Sequence, residues 1–229
     1  MLLSTLAQAS PEGLAILEKI DASTTLQSAE MSLELDVRRP NGSSVQRSLQ
    51  IWQADNNARL VRLTAPSRLQ GVGLLVSSDD QLHMFLPQYP PSRRVVGSSR
   101  ADSFMGTDFA IDDLARLSYA QTYEAEIKSQ SDSKTVLSLI PKEKEGQKGE
   151  LSVDAEHRIL QHIHYTDKGE IDREINMSDY RQVDGIWLAY RVEVTDSKTK
   201  RQTIGTLSDI KINQRIPPET FTLQYLENP

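Results

Sequence analysis

A few groups of residues carry types and spacings that could do chemistry, and each has a plainer reading beside it. His162 and His164 lie one residue apart, so on a strand they project from one face, with His157 nearby. A metal there would need a further donor, such as Asp154 or Glu156, brought within range. Ile159, Ile163 and Tyr165 form the alternate row, which assigns the two histidines to the solvent side, and no metal is expected. Asp112 and Asp113 are adjacent, so on a helix they diverge and make a poor acid–base pair. Ser131-Asp132-Ser133-Lys134 fits S-x-x-K formally but sits in a polar hairpin turn. There is no G-x-S-x-G elbow, phosphate-binding loop or H-E-x-x-H pair. The chain also has no cysteine, which removes thiolate chemistry and disulfides. No catalytic residue, metal or cofactor is assigned: a lipid hydrolase would need a nucleophile or metal that is missing here.

Basic residues point towards binding instead. Arg93 and Arg94, with Arg100 shortly after, could meet a lipid phosphate or an acidic partner, although exposed charge is the usual reason for such a pair. Arg47 lies on the same strand face as Leu49 and Ile51. If buried, it needs a partner, either a carboxylate from a covering loop or solvent at the strand end. The formal net charge of −6 argues against non-specific nucleic-acid binding, which needs a basic excess.

The elements that hold these residues are mostly strands. Ser10 can cap a helix over residues 10–22, with Pro11 in its first turn and Leu14, Leu17 and Ile20 on one face. Period two then takes over. Met31, Leu33, Leu35 and Val37 alternate with polar residues, Pro40-Asn41-Gly42 turns the chain, and Val45, Arg47, Leu49 and Ile51 answer. Further strands follow at 60–64, 69–76 and 81–86, then at 124–128, 135–140, 150–154, 159–165, 171–180, 186–194 and 203–213. They amount to roughly ten or eleven strands in consecutive hairpins, an antiparallel meander. One apolar and one charged face fit a single sheet with one wet side better than a sandwich. The Pro-rich stretch 87–117 interrupts this pattern and ends in a short amphipathic helix, Asp108 to Arg116, capped by Asp108. A loop of this length is a lid or binding loop, or else disordered.

An apolar face of this width exceeds what two short helices can cover. Exposed apolar area costs about 25 cal/mol per Å², so an apolar ligand is expected. Leu2, Leu3 and Leu6 leading into Ala7-Gln8-Ala9 read as a remnant of an export signal over residues 1–9, which leaves 10–229 as one domain in the periplasm. No stretch approaches the ~18 apolar residues of a membrane span.

Two segments resemble a known family. Leu63-Thr64-Ala65-Pro66, continuing to Gly71-Val72-Gly73-Leu74-Leu75, is similar to a stretch of outer-membrane lipoprotein-sorting proteins. Leu86-Pro87, Arg93-Arg94-Val95, Phe104-Met105-Gly106-Thr107-Asp108-Phe109 and Asp113-Leu114 follow in the order seen in a LolA-like subfamily. The resemblance covers essentially the whole chain. It implies a mainly β (α+β) fold: a strongly curved antiparallel sheet, an incomplete barrel, closed by short helices over an apolar cavity. It also implies a carrier of lipid or lipoprotein acyl chains, with an inner-membrane transporter and an outer-membrane acceptor as partners. The alternative is a lipid-sensing adaptor for a membrane transporter. Leu33, Leu35, Leu49, Ile51, Leu63, Leu74, Met84, Phe104, Met105 and Phe109 are the expected cavity or lid residues, with Arg47, Arg93 and Arg94 at a polar rim. The lids would be the first helix and residues 98–117. For the arginine that tethers the lid in the family, Arg38, Arg39 and Arg47 are all candidates.

Overall fold

The computed structural model describes residues 10–54, 58–77 and 81–228; the leader-like residues 1–9 lie outside them. The strands are β1 (Ser28–Arg38), β2 (Ser44–Ala54), β3 (Arg59–Ala65), β4 (Gly73–Val76), β5 (Leu82–Phe85), β6 (Arg93–Arg94) and β7 (Tyr123–Gln130). They continue with β8 (Lys134–Pro141), β9 (Gly149–Asp154), β10 (Ile159–Tyr165), β11 (Ile171–Val183), β12 (Ile186–Asp196) and β13 (Gln202–Ile212). Helices α1 (Pro11–Thr24), α2 (Ile111–Ala115), α3 (Tyr119–Thr122) and α4 (Leu223–Glu227) complete the described chain.

All thirteen strands join one sheet, in the order β6-β5-β4-β3-β2-β1-β13-β12-β11-β10-β9-β8-β7. Every pairing is antiparallel, as hairpin-connected alternating strands require. The count exceeds the expected ten or eleven. The two-residue β6, inside the proline-rich stretch, has no alternation to read. Two meanders make up the sheet, one running outward from β1 to β6 and one returning from β7 to β13. They meet where β13 pairs with β1, Leu33 facing Leu207 and Leu35 facing Gly205. Gly205 is bare because a Cβ there would already press on Leu33 and Leu35 at 3.2 Å.

Apolar residues of β1–β5 and β11–β13 form one core cluster, and those of β7–β10 form a second beneath α1. Ser10 caps α1, its Oγ accepting from Gly13 N at 3.0 Å. The helix docks through Gly13, Ile16, Leu17 and Ile20, whereas Leu14, expected inward, is 38% exposed. Close approach explains the rotation: a Cβ on Gly13 would come within 2.1 Å of the Ala125 carbonyl oxygen in β7. The expectation of one wet face fails at one corner. Leu60, Leu75 and Phe85 turn to the opposite side of β3–β5 and are covered by Leu226 of α4. Arg62 holds that tail, donating to the Tyr225 carbonyl at 2.7 Å.

The strand order makes residues 95–122 cross from one edge of the sheet to the other. Phe104 is fully buried there, with Phe109, Ile111 and Leu114 beside it in the core of β1–β5 and β11–β13. Phe104 N donates to Phe109 O at 2.8 Å, closing a turn in which Met105 (φ 48) and Gly106 (φ 75) are left-handed. The expected helix over 108–116 is shorter, and Asp108 does not cap it. Asp113 does, its carboxylate accepting from Ala110 N at 2.8 Å. Asp108 is spent elsewhere. Its side chain is wholly buried, accepting from Arg201 at 2.7 Å and from the Thr203 hydroxyl at 2.7 Å. Asp108 N in turn donates to Thr203 Oγ1 at 2.9 Å. Breaking a buried, hydrogen-bonded ion pair from one side costs about 3–5 kcal/mol. Asp108→Ala should therefore lose about 3 kcal/mol in urea unfolding, the lower end because Arg201 can re-enter solvent. A loss within the error of the extrapolation would mean that this pin does not hold the crossover.

Candidate functional site

The expected cavity residues come together, but mostly as filled core. Leu33, Leu49 and Leu63 lie side by side across β1, β2 and β3, with Met31 beside Ile51. Leu33, Leu35, Leu49, Ile51, Leu63, Leu74, Phe104 and Phe109 are all buried in one cluster. An apolar cavity beneath a lid was expected over these positions, and side chains of the crossover pack among them. Around the margin of that cover the apolar face continues half-buried: Leu69, Met84, Leu86, Met105, Leu117, Met177, Val183, Ile186, Leu188, Val192, Leu207 and Ile210. A cavity of about 230 Å³ opens at the β5–β6 edge. Met84, Leu86, Val95 and Ile111 line it, together with Arg93, Arg94 and Tyr89, so three of the expected residues meet there. Arg93 and Arg94 are exposed on the short edge strand.

Arg47 is buried, opposite Leu35, yet no carboxylate partners it among the described residues. Its Nη1 donates to the Gln46 carbonyl at 2.9 Å, and burial, with Arg68 and Arg39 nearby, lowers its pKa. Arg38 pairs with Asp36 on the surface and Arg39 with the Ser43 hydroxyl. None of these three candidates is bonded to the crossover. Arginines that alternation did not single out are. Arg59 of β3 donates to the carbonyls of Leu114 and Arg116, both at 3.1 Å. Burial pushes its pKa down to about 10, still far above neutrality. Arg173 of β11 reaches Asp113 at 3.3 Å, and Arg201 takes Asp108 as described. From the other cover, Asp21 of α1 accepts from Ser118 Oγ, Tyr119 N and Ala120 N at 2.6, 2.8 and 2.9 Å, fixing α3. A segment that must bury its carbonyls and carboxylates needs such partners from the sheet.

The histidines differ most from expectation. His162 and His164 are fully buried, not solvated. A bulge between Ile159 and Gln161 shifts the phase of β10, so Ile159, His162 and His164 all point inward. Their rings are tilted by 37° with centroids 3.9 Å apart, and Tyr119 and Tyr123 flank His162 at 5.6 and 6.0 Å. Gly149 makes room, because a Cβ there would meet His162 Nε2 at 3.0 Å and the Ile163 carbonyl at 2.6 Å. Neither ring bonds a described residue: the closest carboxylate oxygen, on Asp113, is 3.7 Å from His164 Nε2. Burial depresses both pKa values well below the usual histidine range. Arg116 and Arg173 add to this for His162, and His162, Arg173 and Arg116 do so for His164. Both rings are neutral, so the approach to Asp113 is not an ion pair. Among the described residues no cluster of three potential ligands could hold a metal.

Depressed folded pKa values tie stability to pH with a definite sign. Above about pH 6.5 the unfolded histidines are also neutral and the pair adds no pH-dependent cost. Below that pH the unfolded chain takes up protons that the folded chain refuses. Stability should then fall by up to about 1.4 kcal/mol per pH unit for each histidine. Urea unfolding at pH 7.5, 6.5 and 5.5 should show the loss concentrated in the last interval. A His162→Phe/His164→Phe double variant should flatten it; equal slopes in the two proteins would remove the histidines as its cause.

Comparison with known proteins bears on the fold. No curated protein matches the sequence. A DUF1329 family protein from Desulfovibrio piger superposes with a TM-score of 0.85 at 20% identity, covering 96% of this chain and 100% of its own. A putative outer membrane lipoprotein-sorting protein domain from Vibrio parahaemolyticus gives 0.84 at 21% identity, covering 94% and 98%. A LolA superfamily protein from Nitrosomonas europaea gives 0.79 at 22% identity, covering 96% and 100%. The chain thus has the LolA-type fold that its Phe-Met-Gly-Thr-Asp-Phe segment suggested. A family model carrying the description "Uncharacterized protein" matches residues 55–228, most of the chain, and the protein belongs to that family.

Proposed function

We propose that the protein is a non-enzymatic carrier that binds lipid acyl chains in the periplasm and passes them towards the outer membrane. The chains would lie between the inner sheet face and the crossover, with the sheet curved into an incomplete barrel. One observation carries this reading. Twelve Met, Leu, Ile and Val side chains that are only half-buried pack against the cluster that holds Phe104 and Phe109, so apolar surface is left for a guest. Surrounding methionines, Met84, Met105 and Met177, suit irregular apolar guests because their side chains are flexible and polarizable. Curvature is supported by the reach of the covers: strands far apart in the sheet order, β3 and β11, both bond the same crossover. The shared fold with a lipoprotein-sorting domain supports the cargo class.

In this reading Leu33, Leu35, Leu49, Ile51, Leu63 and Leu74 form the floor exposed when the crossover lifts. Phe104, Met105 and Phe109 are the part that lifts, and Arg93 and Arg94 stand at the rim beside Met84. Half-buried positions test it best, since a charge there spares the packed floor. The purified chain should take up a fluorescent fatty acid. Leu188→Glu and Ile210→Glu should each weaken uptake at least tenfold, about 1.4 kcal/mol, with little change in melting temperature. Wild-type protein that stays empty, and carries no lipid in native mass spectrometry after isolation from cells, would overturn the carrier and favour a protein-binding adaptor.

A further inference from the structure

We propose that a second, polar cavity, at the seam between the crossover and the β8–β9 loop, is a binding site for a phosphate group. The cavity has a volume of about 160 Å³, room for a small group of a few non-hydrogen atoms. Its walls include Arg100, Asp112, Arg116, Tyr123, Gln147, His164 and Arg173, with Glu143 and Glu145 in the exposed loop. It touches the apolar rim only at Leu117, and it stands on its own geometry whether or not the chain carries acyl groups.

Two features select the ligand. First, the buried polar atoms of this wall without a described partner are three donors and one acceptor. Arg116 and Arg173 have side chains 7% and 9% exposed, and the Nε of each bonds no described residue. Neither nitrogen of His164, 1% exposed, has a partner either, and a neutral imidazole supplies one N–H. An Nε–H can only donate, so the occupant must bring acceptors. Second, the ion-pair network in the buried wall is positive. Asp112 is shared by Arg100 and Arg116 at 2.8 and 2.7 Å. Asp113 stands between Arg173 at 3.3 Å and Arg116 at 3.6 Å. Three guanidiniums therefore share two carboxylates. Glu143 and Glu145 also line the cavity, but from an exposed loop where solvent screens their charge, and Glu145 accepts from Ser98 N at 3.1 Å. Separate donors on two arginines and an imidazole that line one cavity suit a phosphate, whose oxygens outnumber those of a carboxylate.

The histidine pair makes this site responsive to pH. The groups facing it are Asp113, Arg116, Tyr119, Tyr123 and Arg173. Burial, with Arg116 and Arg173 beside them, keeps the rings neutral. A bound anion offsets Arg116 and Arg173, so His164 takes up a proton on binding and affinity rises as pH falls.

The test is long-range ¹H–¹⁵N spectroscopy of the imidazoles in the full chain, titrated separately with inorganic phosphate and with dihexanoyl phosphatidic acid. A saturable shift of the His164 nitrogens is expected, with affinity three- to tenfold tighter at pH 6.5 than at pH 7.5. Arg173→Gln should weaken it at least tenfold. Arg100→Gln, at the more exposed end, should weaken it several-fold and covers the case in which Arg173→Gln does not fold. Saturation by inorganic phosphate supports a site for a free anion, and saturation by the lipid alone supports one for a lipid headgroup. No saturable shift with either probe up to about 10 mM, weaker than the millimolar affinities of minimal sites, would overturn the proposal.

Discussion

The meanders β1–β6 and β7–β13 close on each other at the β1–β13 pair, which leaves β6 and β7 at opposite edges of the sheet. The chain between them has to cross a sheet face, and it crosses the apolar one. A crossing segment of this kind brings backbone carbonyls and carboxylates into a region with no water to serve them. Much of what distinguishes the molecule answers that constraint. Arg59 serves the last carbonyls around α2, Arg201 and Thr203 serve Asp108, and Arg173 serves Asp113. Asp21 reaches across from α1 to hold the start of α3. Cover and sheet are thus joined by a few strong polar contacts around a patch of ordinary apolar packing.

The sheet was legible because its strands obey one rule each. In β1 and β2, alternation gives the face, and Pro40-Asn41-Gly42 sets the turn that brings Leu33 opposite Leu49 and Leu35 opposite Arg47. Reading failed where a local irregularity changed the phase. One bulge in β10 turned His162 and His164 from the wet side to the interior, and no residue type announces a bulge of that kind. It failed again where a polar residue's partner lies far along the chain. Asp108 looks like a helix cap from its neighbours, and only the fold brings Arg201 and Thr203 to it, ninety-odd residues away. The sequence did contain one usable hint, Arg173 on the inward row with Ile175, which is the same anomaly that drew attention to Arg47.

That pair of inward arginines also separates two kinds of polar burial. Arg47 keeps company with Arg39 and Arg68 near a strand end and settles for the neighbouring carbonyl. Arg173 sits where the two apolar clusters meet, with Asp113, Gln147 and the histidine pair around it. The seam is therefore a line along which the core is polar rather than apolar. The α1-covered half and the crossover-covered half of the sheet have separate buried clusters, with Met177 packed against both. A displacement of the crossover need not disturb α1, provided the Asp21 contacts to α3 act as the hinge between them.

Whether a lipid can displace such a cover is a question of comparable magnitudes. Burying a large apolar side chain is worth about 1.5–3 kcal/mol, so Phe104, Phe109, Ile111 and Leu114 together hold the crossover down by roughly 10 kcal/mol. An acyl chain of about sixteen carbons, at about 0.8 kcal/mol per methylene, offers a similar amount when it takes their place. The apolar exchange is then close to neutral, and the polar pins decide its direction. Those formed by Arg59, Arg173 and Arg201 favour the closed state when no guest is present. The half-buried rim of Met84, Met105, Met177, Ile186 and Leu188 favours a guest, because it gains cover that the crossover alone does not provide. The proposed carrier would have to release what it binds, and a near-balance between a self-supplied cover and a guest would permit that. A permanently open cavity would hold its lipid by the full burial energy, and a completely covered sheet would admit none.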